Sequence, residues 1–324
     1  MNPQPLESPF QPVISSFDPQ PGTATDSHDP LSDLITAVPP PPPSGPFALR
    51  ALVPEISFIE YYGLSGNPFA DCVHPSFFYR TESHTEAFRS MLRAVEFHAS
   101  LGLVTGPSGT GKTLVSQLLL EQFDPAKYHV ILVLVTPGLT KTGLLREILS
   151  ELNIALPVGI NRVQDLVKLL SNHIIDMHQR GLRLVIIVDE CHLLDADCLH
   201  IIRTISNIEI PERKLTTSLL FGEARLAQRL DHPSYESLRN RIYLRARLLP
   251  LTADETRQYV GFRLLVSGRM AEVFTPCALD ALHTHSGGIC RTLNKLSMLS
   301  LIEGATRQQP LVDAATVTAA AARM

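Results

Sequence analysis

The chain of 324 residues has no apolar run approaching the ~18 residues that a membrane-crossing helix requires; its most apolar stretches, around 130–135 and 184–188, are strand-sized. The amino terminus has neither the basic nor the apolar region of a secretory signal, so the expectation is a soluble, cytoplasmic protein with no membrane span. Cysteine is scarce. The five present, Cys72, Cys191, Cys198, Cys277 and Cys290, form no C-x-x-C pair and no metal-ligand spacing, which favours reduced thiols over a disulfide scaffold or a zinc module. A basic excess is missing too, since 28 Lys and Arg face 32 Asp and Glu for a net charge of −4. That balance gives no large basic excess for nucleic acid, and the stretch 203–247, with nine bases and five acids, reads either as a solvated face or as a local patch for a phosphate backbone. The twelve histidines are scattered: His192 sits in a D-E-x-H pattern without ligand spacing for zinc, and His283 and His285 read as surface residues.

What is present is unevenly placed. Fourteen of the 25 prolines fall in the first 54 residues, including the run 39–43. Residues 1–50 hold five acids against the single base Arg50, leaving 27 of each sign in the remainder. Such a segment buries too little apolar surface to offset its ordering entropy, so a disordered tail with an extended polyproline spacer is expected there. Within it, residues 31–38 read either as a short docking helix or as part of a flexible tail.

From about Glu55 the pattern becomes that of a folded domain. Ser83 with Glu86 makes a capping box ahead of Phe88, Met91, Leu92 and Val95 at helical spacing. Leu144, Leu145, Ile148, Leu149 and Leu152 mark one helix; Val163, Leu166, Val167, Leu170, Ile174 and Met177 mark another, capped by Asn161 and closed by Gly181. Runs at 129–135, 184–188, 215–221 and 242–248 read as strands, the first nearly continuous, as expected where both faces of a parallel sheet are covered. Strands alternating with helices give an α/β fold with a parallel five-stranded sheet flanked by helices. After Pro250 the pattern turns helical, opening on the capping box Thr252 with Glu255 and continuing near 278–283 and 291–302. The divisions expected are a proline-rich tail over 1–54, an α/β nucleotide-binding core over 55–249, a small all-helical lid over 250–305 and a tail or helix over 306–324.

Two motifs carry chemistry. Gly106-Pro107-Ser108-Gly109-Thr110-Gly111-Lys112-Thr113 reads G-x-x-x-x-G-K-T, with the apolar Leu101, Leu103 and Val104 before it and a helical pattern from Thr113 after it. Glycines let consecutive N–H groups curl around an anion, and the new helix aims its positive end at the same place. Lys112 then neutralises the β and γ phosphates of ATP, and the Thr113 hydroxyl holds Mg²⁺. The second motif is the buried run 184–188 ending in Asp189 and Glu190. An acid at the carboxyl end of such a strand faces the crevice where ligands bind in open α/β sheets. Asp189 is positioned to hold the Mg²⁺ of Mg-ATP, and Glu190 to polarise the attacking water.

With these motifs in order, the chain from about Tyr62 to Ala305 resembles an AAA+ ATPase of P-loop NTPase type. More narrowly it resembles the ExeA/GspA group of secretion-assembly ATPases and the related TniB and TnsC transposition ATPases. Tyr62-Gly63-Leu64-Ser65-Gly66-Asn67-Pro68-Phe69 is similar to the "GL...PF" opening of that group, and Gly222-Glu223-Ala224-Arg225-Leu226 stands where relatives carry "GQPEL". Leu238-Arg239-Asn240-Arg241-Ile242, Leu249-Pro250-Leu251 and the segment from Ser286 to Asn294 are similar to its later signatures. The resemblance implies an arginine finger at Arg241, with Arg239 as the second choice, reaching ATP bound in a neighbouring subunit. It also implies a sensor 2 at Arg291 and an adenine clamp at Pro68 and Phe69. The implied protein is a homo-oligomer with shared ATP sites. Its partner is either a protein of an assembly or secretion system, or DNA plus a transposase; a slowly hydrolysing switch is the third reading. Glu223 replaces the glutamine of the family element and puts the sensor 1 assignment in doubt, with Thr216 or Thr217 as alternatives. The sequence printed, without a spanning helix beyond the lid, weakens the expectation of a standard secretion-assembly role.

Overall fold

The inner strands of the sheet are buried on both faces because helices cover both. The computed structural model describes residues 57–71 and 75–324; the tail expected over 1–54, its 31–38 segment and Cys72 lie outside the described residues. A short helix α1 (Phe58–Tyr61) is followed by α2 (Glu82–Glu96), β1 (Leu101–Thr105), α3 (Lys112–Leu120), β2 (Tyr128–Leu134), α4 (Lys141–Glu151), α5 (Val163–Gln179) and β3 (Arg183–Asp189). Helix α6 (Ala196–Ile205), a two-stranded hairpin of β4 (Glu209–Ile210) and β5 (Arg213–Lys214), β6 (Thr216–Gly222), α7 (Ala224–Leu230), α8 (Glu236–Arg239) and β7 (Ile242–Arg247) follow.

The main sheet has the order β2-β3-β6-β1-β7 and every pairing in it is parallel. Alternate residues point to opposite faces. In β3, Leu184, Ile186 and Val188 join the core formed with α4, α5 and α6, while Val185 and Ile187 join the core beneath α2 and α3. Strands β1, β3 and β6 are buried along their whole length, as two covered faces require. Strand β2 lies at the sheet edge and is less buried, yet both of its faces are covered as expected, Ile131 and Val133 joining the first core while Val130 and Leu132 pack against the second.

Local capping departs from the sequence reading at two helices. The first turn of α2 is capped by the Thr81 hydroxyl, which accepts from the His84 amide, while Glu86 accepts from Ser90 Oγ at 2.8 Å rather than boxing with Ser83. The N-cap of α5 is Arg162, because the Asn161 amide oxygen is taken by Arg146. The Thr252–Glu255 capping box is present as expected.

The helices after β7 are α9 (Ala253–Val266), α10 (Pro276–Ser286), α11 (Cys290–Thr306) and α12 (Ala314–Ala321). They share one core with Tyr62, Leu64 and Phe69 from the first described segment. The contact is tight: a Cβ added at Gly304 would lie 2.4 Å from the Tyr62 hydroxyl, which donates to the Gln309 carbonyl at 3.1 Å. Arg263, buried in α9, fastens the same segment by donating to the carbonyls of Pro68 and Ala70, its guanidinium lying 4.1 Å from the centre of the Phe77 ring.

The strand portion meets these helices at Gly288. Its φ is +73°, its carbonyl accepts from the Leu251 amide at 2.9 Å, and a Cβ there would stand 2.1 Å from the Leu251 carbonyl oxygen. Gly288→Ala is therefore expected to destabilise the protein by about 1–3 kcal/mol in urea unfolding. Gly261→Ala, on an exposed face of α9 with open space around it, is expected to be neutral or stabilising by up to about 1 kcal/mol.

Candidate nucleotide-binding site

Strand β1 lies between β6 and β7, so the loop that leaves its carboxyl end emerges at the middle of the sheet. The loop turns on Gly109 and Gly111, at φ +77° and +95°, where any side chain is strained. Gly111 is the N-cap of α3 and offers no side-chain acceptor, so the first amides of that helix stay directed at the loop. Three neighbours fix the loop. Gly106 donates to the Gly222 carbonyl at 3.3 Å, His84 Nε2 lies 2.9 Å from the Thr110 carbonyl, and the Arg291 amide donates to the Gly109 carbonyl at 3.1 Å. Thr110 Oγ1 closes the turn on the Pro107 carbonyl at 2.8 Å. A Cβ at Gly106 or at Gly109 would come within 2.8 Å of Leu248 O or Arg291 Cβ, so the loop is held against both β7 and α11.

Lys112 is 5% exposed, and its ammonium donates to the carbonyls of Pro107 (2.9 Å) and Gly106 (3.2 Å). Burial lowers its pKa, opposed by the nearby Glu190, Glu223 and Asp189. Among the described residues no carboxylate stands within 4.0 Å of this ammonium, so it is a buried cation open to an anion.

Strand β3 ends two places along the sheet, delivering Asp189 and Glu190 to the same edge. Asp189 is 1% exposed; its Oδ1 accepts from the Glu190 amide at 2.9 Å and its Oδ2 has no hydrogen-bond partner. A buried carboxylate oxygen without a donor suits a hard cation, and Thr113 lines the adjoining cleft with a hydroxyl of the same chemistry. Glu190 stands in the left-handed region (φ 54°), lines the cleft, and places Oε2 3.1 Å from His192 Nδ1. The glycine cradle, the buried ammonium and the orphaned oxygen together fit a phosphate chain carrying a divalent cation.

The cleft encloses about 860 Å³, open mouth included, between the loop and the helical portion. Its far wall is aromatic: Phe77, Phe78, Tyr79 and Tyr259, with Arg291 and Asn294 from α11. Sequence reasoning missed these rings, since no motif announces them and two elements far apart in the chain bring them together. Pro68 and Phe69 are elsewhere. Phe69 is 1% exposed and packs edge-on against Phe274, with ring centres 6.5 Å apart, in the core of the C-terminal helices. Arg291 lines the cleft, while Arg239 and Arg241 precede β7 at the opposite end of the strands, roughly 20 Å away along the strand. Arg239 is tied to the Asp231 carbonyl at 3.2 Å.

Thr216 and Thr217 cannot act as a phosphate sensor. They begin β6, beside Leu184 and Val185, at the end of the sheet away from the loop. Their hydroxyls serve the structure instead, Thr217 donating to the Ala99 carbonyl at 2.6 Å and Thr216 to the Ile205 carbonyl at 3.3 Å. Glu223, at the carboxyl end of β6, is drawn aside by Arg225, whose Nε lies 3.1 Å from Oε2.

Comparison with known proteins now decides the family. Residues 94–230 match the family described as AAA domain. Residues 94–230 carry an AAA domain. Over 252 residues it is 35% identical to general secretion pathway protein A of Aeromonas hydrophila, an overlap of 77% of this chain and 45% of that protein. The chain thus spans less than half the length of this relative. Solved structures with the AAA+ fold superpose on it: the Drosophila ORC bound to DNA (TM-score 0.60, 15% identity, 82% of this chain and 66% of that one) and CDC6P from Pyrobaculum aerophilum (TM-score 0.59, 17% identity, 76% and 67%). The Aeropyrum pernix ORC2 protein in its ADPNP-ADP complexes gives a TM-score of 0.58 at 15% identity, covering 79% and 71%. At these identities the likeness is one of fold, that of AAA+ proteins with a five-stranded parallel sheet and C-terminal helices. Among the described residues of the AAA domain and its flanks, no helix is long and apolar enough to cross a membrane.

His84 ties the stability of the fold to pH. Burial, the largest effect on it, holds its pKa below the ordinary 6.5, so the native ring resists a proton that the unfolded chain accepts. Its contribution is complete above the unfolded value and is lost as pH falls through that value toward the native one. The loss of stability between about pH 7 and about pH 5 is expected to be smaller in His84→Gln, which keeps a donor for the Thr110 carbonyl, than in the wild type. A residual slope should remain from His98, His173 and His192, which are shifted the same way.

Proposed function

We propose that the protein binds Mg-ATP at the loop 106–113 and hydrolyses it, using the cycle to remodel or assemble a partner complex. The observation that carries this reading is a cleft lined by the carboxylate-free buried ammonium of Lys112 and by Glu190, with the buried, orphaned oxygen of Asp189 next to Glu190 at the end of the same strand. Lys112 exchanges its two carbonyl partners for phosphate oxygens, a gain because the anion neutralises a charge already taken from water. Thr113 and Asp189 hold Mg²⁺, which supplies charge neutralisation on the phosphate oxygens when bound. Glu190 orients and polarises the attacking water. The aromatic wall and Asn294 take the base, and Arg291 reads the phosphates from the lid over 250–305.

Arg241 acts on a neighbour. Its place at the amino-terminal end of β7 denies it the cleft of its own chain but leaves it available to a second copy, which supports a homo-oligomer with shared sites. The 35% identity to a general secretion pathway protein supports a protein partner in an assembly process, within the shared 252 residues.

Lys112→Ala is expected to abolish ATP binding in a calorimetric titration, whereas Glu190→Gln should bind ATP like the wild type and lose about 10²- to 10⁴-fold in turnover. Unchanged affinity in the first variant, or unchanged turnover in the second, would contradict the reading. Arg241→Ala should also be nearly inactive alone. Mixed with Glu190→Gln it should regain part of the activity, because each variant supplies what the other lacks across the interface; no recovery in a mixed oligomer would exclude the shared site.

A further inference from the structure

His192 has no role in the chemistry above, yet it is 7% exposed and stands between two carboxylates. Its Nδ1 is 3.1 Å from Glu190 Oε2 and 3.4 Å from the backbone nitrogen of Glu223, and its Nε2 is 3.8 Å from Glu223 Oε1. The main chain that carries the ring is held closely. A Cβ at Gly222 would meet the His192 backbone nitrogen at 3.2 Å, and Arg229 donates to the carbonyls of His192 (3.4 Å) and Leu194 (2.6 Å). Glu223 is in turn anchored by Arg225 at 3.1 Å.

These contacts compete. Burial, outweighing the pull of Glu223 and Glu190, keeps the ring below the ordinary histidine pKa and therefore neutral near pH 7, with a single N–H. Nδ1 either carries that proton and donates to Glu190, or presents a lone pair and accepts from the Glu223 amide; one nitrogen cannot do both. In the first state a Glu190 oxygen is engaged. In the second it is free for water, and Nε2–H faces the Glu223 carboxylate.

We infer that His192 is a positioning residue that alternates through Nδ1 between the Glu190 carboxylate and the Glu223 amide, and so couples the end of β6 to the group that polarises water. This rests on the hydrolytic reading of Glu190, but its first test does not. In the uniformly ¹⁵N-labelled full-length protein, His192 is expected to carry its proton on Nδ1. In Glu190→Ala the proton should move to Nε2 and the Glu223 amide resonance should shift downfield. An identical tautomer and an unmoved Glu223 amide in the two proteins would overturn the inference.

Kinetics give the second test. His192→Ala should lower kcat by about 10²-fold, as expected for a misplaced catalytic group, with KM changed by less than about twofold. His192→Asn, whose amide occupies the position of Nδ1, should recover most of the rate, while His192→Gln, which reaches toward Nε2, should not. Equal rescue by both, or loss of ATP binding in His192→Ala, would assign the residue a merely structural part. A tautomer shift without any ATP turnover in the wild type would instead sink the hydrolytic reading and leave the coupling standing.

Discussion

A buried ammonium with no carboxylate partner is the constraint around which this site is built. Burying Lys112 costs solvation, and two carbonyls from its own loop offset part of that cost. The fold keeps the site's carboxylates near but not touching: Asp189 is held by the Glu190 amide, Glu190 by His192, and Glu223 by Arg225. Each restraint leaves Lys112 positive and unpaired, which is the electrostatic condition for binding a phosphate chain. Had any one of these acids closed on Lys112, the loop would be a salt bridge rather than an anion site.

Sheet order explains how the groups meet without being neighbours in sequence. In the order β2-β3-β6-β1-β7 the strands β3, β6 and β1 are adjacent and parallel, so their carboxyl ends present Asp189, Glu223 and Gly106 in a row. The same rule places residues that precede a strand at the far edge, which removes Thr216, Thr217 and Arg241 from the cleft. The helices after β7 close the arrangement from the other side, where the Arg291 amide at the start of α11 donates to the Gly109 carbonyl and Arg291 and Ile289 leave no room for a side chain at Gly109.

Much of this was readable from residue order, and the failures have physical causes. The loop 106–113 and the strand ending in Asp189-Glu190 are local, since strand, turn and helix each demand particular residues in a fixed order. Caps were misassigned where two candidates stood side by side: Thr81 precedes Ser83, and Asn161 precedes Arg162, and only packing decides which is at the helix start. The ligand role of Phe69 came only from the resemblance of the opening segment to a base clamp, and its ring instead fills the core of the C-terminal helices against Phe274. The aromatic wall had no sequence signal, because Phe77, Tyr79 and Tyr259 become neighbours only after Arg263 ties α9 to the first described segment.

In the proposed site, nucleotide phosphate is bound jointly by the loop and by the start of α11. Hydrogen–deuterium exchange of the full-length protein, with and without Mg²⁺ and a non-hydrolysable ATP analogue, tests it most directly. Amides of 106–113 and of 288–294 should gain protection together, since the Arg291–Gly109 contact joins the two segments. Protection confined to regions outside 106–113, or a protected loop with an unaffected 288–294 segment, would contradict it.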